Sequence, residues 1–307
     1  MSARPPEKQG KPMSKAEKMT TTSHEVEQEE RSVSPRNKLN DLTAKEWIPE
    51  TISVWRQKGL GAGHPDTKIE RQHPAPFSFT DVSRLIRFFT KSDQVVLDPF
   101  VGIGSTLKAA SLEGRRGIGI ELNQDFVDLT KERLNKEIDE SLFDSPEQQV
   151  ILGDAREIIP TLATDSVDFV VTSPPYWNIL HKEDHKTEQE RISQGLSTRY
   201  SIDDDRDLGN ITDYELFLKE LVNIFSECRR VLRPMQHLAA IVGDFRNKGR
   251  YHMFHSDLAQ GLENEGYVLK GITILYQSHK RVFPYGYPSA YVPNLHHQYI
   301  LILRNEG

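Results

Sequence analysis

The sequence predicts an α/β fold built on a doubly wound, mostly parallel seven-stranded sheet with an antiparallel closing strand. Two observations carry that expectation. Short apolar runs of strand length alternate with amphipathic segments of roughly ten to fifteen residues, the spacing of parallel strands joined by helices that cover both faces. The last two apolar runs have no helical segment between them, so they pair antiparallel, because a parallel pair needs a crossover.

The elements follow in order. "DVSRLIRFFT" has helical apolar spacing, "QVVLDPF" is a short buried strand, and "STLKAASLEG" is a helix closed by Gly114. "RGIGIELN" is a strand, "QDFVDLTKERLNKEI" a helix, and "QVILGDA" and "VDFVVTSPPY" are strands. In the second half "DYELFLKELVNIFSECRRVLRP" is a long amphipathic helix, "HLAAIVGDF" a strand and "MFHSDLAQGLENEG" a helix. "YVLKGITILYQ" and "HQYILILRN" then close the sheet. No internal repeat interrupts this order.

Residues 1–40 differ in kind. They carry few large apolar side chains and many Lys, Glu, Ser and Pro, so burial cannot offset their ordering entropy and a disordered tail is expected. The domain is therefore placed at 41–307, with a polar insertion at 181–207.

Composition narrows the class. With 36% hydrophobic and 27% charged residues in 307, the chain reads as a soluble globular protein able to bury a large core. It contains no apolar run long enough for a membrane span and no signal-peptide pattern, so the cytoplasm is the expected compartment. Cys228 is the single cysteine, which excludes an internal disulfide framework and a cysteine-rich metal site. The net charge of −6 gives no global attraction to nucleic acid, so any such binding needs a local basic surface.

In an open sheet of this kind ligands bind beyond the carboxyl ends of the strands. Three strand ends carry acids. "LDPFVGIGSTLKAA" places Asp98 before Pro99 and Phe100, lets Gly102 and Gly104 make a tight turn, and offers Ser105 and Thr106 to cap the next helix. Leu107 stands where a dinucleotide fingerprint has its third glycine, which counts against a nicotinamide oxidoreductase. An acid at this turn suits a cationic amine and would repel a pyrophosphate. Glu121, followed by Leu122, is placed to accept from a ribose diol, and Asp154, followed by Ala155, to accept from an adenine amino group. Together they outline a pocket for an adenosine bearing an amino acid.

At this point the chain resembles the S-adenosylmethionine-dependent amino-methyltransferases of DNA, which modify cytosine N4 or adenine N6. "DPFVGIGST" looks like their cofactor loop, and "TSPPYW" looks like their catalytic tetrapeptide, Ser173, Pro174, Pro175 and Tyr176, with its flanks. "HPAPFSF", with His73, Pro74 and Phe77, looks like the segment that closes over the methionine part of the cofactor. The resemblance covers nearly all of residues 70 to 305. It implies a Rossmann-like methyltransferase fold, S-adenosyl-L-methionine as cofactor and double-stranded DNA as partner. A homodimer and a separate restriction endonuclease are further partners that it admits.

The tetrapeptide can then be read chemically. An exocyclic amine is a poor nucleophile because its lone pair is delocalised into the ring. If Ser173 Oγ and the Pro174 carbonyl accept its two hydrogens, the nitrogen can rehybridise toward the methyl group. Tyr176 offers a ring face to a base that must be flipped out of the duplex. Family members with Ser at the first position resemble cytosine N4 enzymes, and those with Asp or Asn resemble adenine N6 enzymes. The remaining alternatives are an RNA amino-methyltransferase and a cofactor-binding regulator without turnover. Cys228 sits in a helical pattern and reads as a buried thiol rather than a nucleophile for C5 chemistry.

Trp177, beside the tetrapeptide, and Lys280, Arg281 and Tyr285, in the basic and aromatic stretch "SHKRVFPYGYPSAYVPNLHH", are the expected nucleic-acid contacts. His296 and His297 point to opposite faces of a strand, so no metal is expected.

Overall fold

The computed structural model describes residues 32–57, 78–137, 147–177 and 204–307. His73, Pro74 and Phe77, most of the 1–40 tail and most of the 181–207 insertion lie outside the described residues. The elements before the first acid-bearing strand are α1 (Ala44–Glu50), β1 (Val54–Arg56) and α2 (Phe79–Phe89). There follow β2 (Val95–Asp98), α3 (Ser105–Leu112), β3 (Arg116–Glu121), α4 (Gln124–Glu137), β4 (Gln148–Leu152) and the one-turn α5 (Ala155–Ile158). The second half holds β5 (Val167–Thr172), α6 (Tyr214–Val231), β6 (Leu232–Val242), the short pair β7 (Phe245–Asn247) and β8 (Arg250–His252), α7 (Phe254–Asn264), β9 (Tyr267–Tyr276) and β10 (His297–Asn305).

Among the described residues eight strands form the main sheet, in the order β1-β9-β10-β6-β5-β2-β3-β4. Seven of them are the expected seven. β10 runs antiparallel to both β6 and β9, while the β5–β6, β2–β5, β2–β3 and β3–β4 pairs are parallel. The eighth is β1, which adds to the edge in parallel with β9 through Val54–Ile274, Trp55–Leu275 and Arg56–Tyr276. From β2 the chain steps outward to β3 and β4, then returns to lay β5 on the other side of β2. That reversal opens a crevice at the strand ends.

Alternation along the strands sorts the core into two layers. Leu97, Val170, Leu238 and Ala240 face α6 and α7, where they meet Phe217, Leu221, Phe225 and Phe254. Val96, Phe169, Val171, Ala239 and Ile241 face α2 and α3, against Val82, Leu85, Ile86, Ala109 and Ala110. Phe89 stacks on Phe169 with centroids 5.3 Å apart and rings 19° from parallel. Each such fully buried aromatic contributes about 1.5–3 kcal/mol of transfer free energy.

The boundary of the fold falls earlier than residue 41. Asn40 is fully buried, and its Nδ2 donates to the Phe88 carbonyl at 2.6 Å, one of the carbonyls that the end of α2 leaves without a helical partner. Asn37 in turn donates to Asn40 Oδ1 at 2.7 Å. A polar composition conceals this anchoring because the amides act as caps, not as core.

Candidate active site

The turn after β2 is held from all sides before any ligand is considered. Glu121 Oε1 accepts from the Asn123 N–H at 2.8 Å, while its Oε2 takes the Gly102 N–H. The Val101 N–H donates to the Ile120 carbonyl at 3.0 Å. From α4, Thr130 Oγ1 donates to the Gly102 carbonyl at 3.0 Å, and Arg133 Nη1 donates to the Ile103 carbonyl at 3.2 Å and to Ser105 Oγ at 3.1 Å. Gly104 adopts φ +78, and a Cβ built there would lie 2.6 Å from Thr130 Cγ2. Glycine is therefore required twice over at this position, by conformation and by space. Thr130 and Arg133 were not singled out from the sequence. Their spacing of three, which puts both on one helix face, was the available signal.

Asp98 departs from its expected role. It is fully buried, accepts the Phe100 N–H on Oδ1 at 3.0 Å and takes the Thr106 hydroxyl on Oδ2. It is not among the residues that line the cleft, and both its oxygens brace the turn from beneath. Burial pushes its carboxyl up to about 6, against the pull of the hydrogen bonds from Thr106 and Phe100. Ser105 and Thr106 likewise do not cap α3. The N-cap is Gly104 with no side-chain cap, because the two hydroxyls are drawn to Arg133 and Asp98.

A cleft of about 690 Å³, open solvent included, lies over the ends of β2 to β5. Pro99, Phe100, Gly102, Glu121, Leu122, Asp154, Ala155, Ser173 and Pro175 line it, with Arg206, Asp207, Leu208 and Ile224 completing the wall. The end of the polar insertion is therefore part of the site. Glu121 is held well above the usual carboxylate range, at about 7, by burial, with the backbone N–H groups of Asn123, Gly102 and Leu122 opposing.

Asp154 caps α5 through the Arg156 N–H at 2.8 Å. Its Oδ2 also takes Arg156 Nη2 at 2.6 Å and Nε at 3.0 Å. Arg156 further donates to the Arg206 carbonyl at 2.7 Å, tying the insertion's end to the β4 end. The carboxylate expected to face an adenine amine is thus already engaged with a guanidinium.

Around the tetrapeptide the side chains divide. Ser173 and Pro175 face the cleft, and Pro174 is buried. Tyr176 is half-buried, with its edge toward Phe254 at 6.2 Å between centroids, and its hydroxyl accepts from Gln298 Nε2 at 2.6 Å. Burial raises the Tyr176 phenol above its ordinary value, while hydrogen bonds involving Ser173, Gln298 and the Gly243 backbone act against that. Trp177 is only 6% exposed. It packs among Tyr214, Phe245 and His252 at 5.3–6.0 Å on a backbone with φ 42. Its ring is a core element and offers no face to nucleic acid.

Lys280, Arg281 and Tyr285 lie on the exposed loop joining β9 to β10. They line one groove with Arg246, Phe283 and His296. Tyr287 and Tyr291 project from the same loop, 83% and 86% exposed. Among the described residues no group of three or more His, Cys, Asp or Glu is placed to hold a metal ion. Among them also, no helix is long and apolar enough to cross a membrane.

Comparison with known proteins extends these observations. The chain is 38% identical over 91 residues to the Type II methyltransferase M.ScaI of Streptomyces caespitosus, covering 29% of this chain and 30% of that one. It is 29% identical over 154 residues to the Type II methyltransferase M.SmaI of Serratia marcescens, covering 46% and 44%. These matches span less than half the length of the curated relatives. The solved structure of TTHA0409 from Thermus thermophilus, complexed with S-adenosyl-L-methionine, aligns over 50% of this chain and 54% of that one at 30% identity and a TM-score of 0.35. The family model of the N6/N4 DNA methylases matches residues 5–132 and 167–307, and on that coverage the chain belongs to the N6/N4 DNA methylase family.

Proposed function

We propose that this protein transfers the methyl group of S-adenosylmethionine to the exocyclic amine of a base flipped out of DNA, cytosine N4 in a short sequence context. One observation carries the reading: Ser173, at the end of β5, and Glu121, at the end of β3, line the same cleft. The residues present suit this cofactor. Each Glu121 oxygen is engaged by one backbone N–H and keeps a second lone pair for a ribose hydroxyl. Phe100, Leu122 and Ile224 supply apolar walls for a purine, and the braced loop from Pro99 to Gly104 lies beside them. When bound, S-adenosylmethionine supplies an electrophilic methyl group.

The protein's own part is orientation. Ser173 Oγ and the Pro174 carbonyl accept the two hydrogens of the target amine, which turns the nitrogen lone pair out of conjugation. Proline at 174 and 175 removes two backbone donors that would otherwise compete for those acceptors. Tyr176 holds the base face, offsetting part of the stacking lost on flipping. Lys280, Arg281 and Tyr285 meet the phosphates and bases near the target. The choice of cytosine rests on the Ser173 hydroxyl, which stands where adenine N6 members have Asp or Asn.

Labelled S-adenosylmethionine and mixed-sequence duplex DNA test this directly. Label should enter DNA, and nucleoside mass analysis should find N4-methylcytosine; N6-methyladenine would reassign the base, and label in RNA alone would overturn the DNA reading. Ser173→Ala should lower turnover by roughly an order of magnitude or more with cofactor binding retained.

A further inference from the structure

The Tyr176 hydroxyl is one end of a row of four side-chain hydrogen bonds that crosses the sheet from its edge. Gln57 Nε2 donates to Asp81 Oδ2 at 2.8 Å, and Gln277 Nε2 donates to Gln57 Oε1 at 3.0 Å. The same Gln277 nitrogen donates to Gln298 Oε1 at 3.1 Å, and Gln298 Nε2 donates to the Tyr176 hydroxyl at 2.6 Å. Gln57 follows β1, Gln277 follows β9, and Gln298 is the second residue of β10. Gln57, Gln277 and Asp81 are all at least nine-tenths buried.

The direction of the row is dictated from its far end. Asp81 Oδ2 takes the Gln57 amide N–H, which leaves Gln57 Oε1 turned to Gln277. Gln277 must then donate, and its second N–H goes to Gln298. The buried Gln277 Oε1 is left without a partner, and a buried orphan needs a reason. The row provides one: turning the amide would set its oxygen against the oxygens of both neighbours. Gln298, with its own oxygen occupied, has an N–H for Tyr176.

At Tyr176 the ring is held on two sides. A Cβ built on Gly243 would lie 3.5 Å from Tyr176 Cε1, 3.8 Å from its hydroxyl and 3.6 Å from Gln298 Cγ, so the glycine backbone is the wall that meets both residues. Gln298 Nε2 can only donate, so the Tyr176 hydroxyl is its acceptor and the ring is tied to the row through that oxygen. We infer that Gln298 is a positioning residue: locked by Gln277, it fixes the Tyr176 ring in the orientation that holds the face of the target base. Gln298 itself touches no reacting atom. The inference rests on the methyl-transfer reading of the same site.

A double-mutant cycle of Gln298→Leu and Tyr176→Phe tests it on the full chain. Gln298→Leu should lower kcat for DNA methylation on the order of tenfold while leaving the KM for S-adenosylmethionine unchanged. In the Tyr176→Phe background, where no hydroxyl remains to be held, the same substitution should cost little further kcat. The thermal unfolding midpoint, which needs no turnover, should show the same pattern of a loss in the parent and almost none with Tyr176→Phe. An equal loss of kcat in both backgrounds, or a rise in cofactor KM with kcat kept, overturns the positioning role. So does independence of the two substitutions in the unfolding midpoint. A parent chain that labels no DNA instead sinks the methyl-transfer reading, and the unfolding cycle still decides whether the Gln298–Tyr176 bond couples the two residues.

Discussion

Glu121 Oε2 accepts a 2.9 Å hydrogen bond from the backbone N–H of Gly102, so the acid that ends one strand clamps the glycine turn that ends its neighbour. The same carboxyl lines the cleft. Brace and cleft wall are therefore one group, and its ionisation affects both.

The carboxyl of Glu121 is raised from 4.5 to about 7, so between those values the folded chain holds a proton that the unfolded chain has released. Its contribution to stability is fully present below 4.5 and is lost as pH rises through about 7. Thermal unfolding of Glu121→Gln should show a flatter pH dependence over that window than the parent. Cofactor affinity should run the other way, tightening as the carboxylate forms. Calorimetric titration of S-adenosylmethionine across the same range checks the sign, and the variant should lose the trend.

Gly104→Ala should destabilise the fold by about 2–4 kcal/mol, from left-handed backbone strain plus the contact with Thr130. The double variant Gly104→Ala with Thr130→Ser removes the obstructing Cγ2 and should recover part of the loss in denaturant melts. Recovery of all of it would mean that the φ of +78 carries no cost.

Trp177→Ala should cost about 3–5 kcal/mol of stability, as for a large aromatic removed from a core. Trp177→Phe should be tolerated and should leave DNA affinity at the parent value in fluorescence anisotropy. A large loss of affinity at unchanged stability would return the ring to the nucleic-acid surface.

Substitutions on the β9–β10 loop should separate charge from stacking. Lys280→Ala and Arg281→Ala should each reduce the slope of log affinity for DNA against log salt by about one. Tyr285→Ala should weaken binding by about 1–3 kcal/mol with the slope unchanged. Circular dichroism should register no loss of fold for any of the three, because all are exposed.

The Cys228 thiol is fully buried in α6, and burial pushes its pKa up. Iodoacetamide should leave the native protein unlabelled and modify it only on unfolding, followed by mass spectrometry.

The strands that carry the site were legible because both faces of each are covered. Val95 to Asp98 and Val167 to Thr172 are buried throughout, and such runs announce themselves as continuous apolar stretches bounded by turn residues. β1 gave no such signal. Its three residues gain their place from the register with Ile274 to Tyr276, a partner more than two hundred positions away. The cleft acids were readable as strand ends, but their side-chain directions were not: Glu121 lines the cleft, while Asp98 turns to Thr106 and the turn. Trp177 was misplaced because two prolines and a residue with φ 42 break the alternation by which a ring's direction could be followed. The glutamine row lay wholly out of reach, since its members are polar residues in unrelated segments that only the sheet order assembles.

The short edge strand has a consequence for solubility. An unpaired strand is a template on which another chain can build, and its danger grows with length and flatness. β1 offers three residues only, ending in Arg56, whose guanidinium is drawn back to Ser278 Oγ at 3.1 Å. Its inward ring, Trp55, is pinned under the Arg84 cation at 3.7 Å. The last three residues of β9, Ile274 to Tyr276, are thereby covered by a strand that itself offers only three residues for a further strand to pair with.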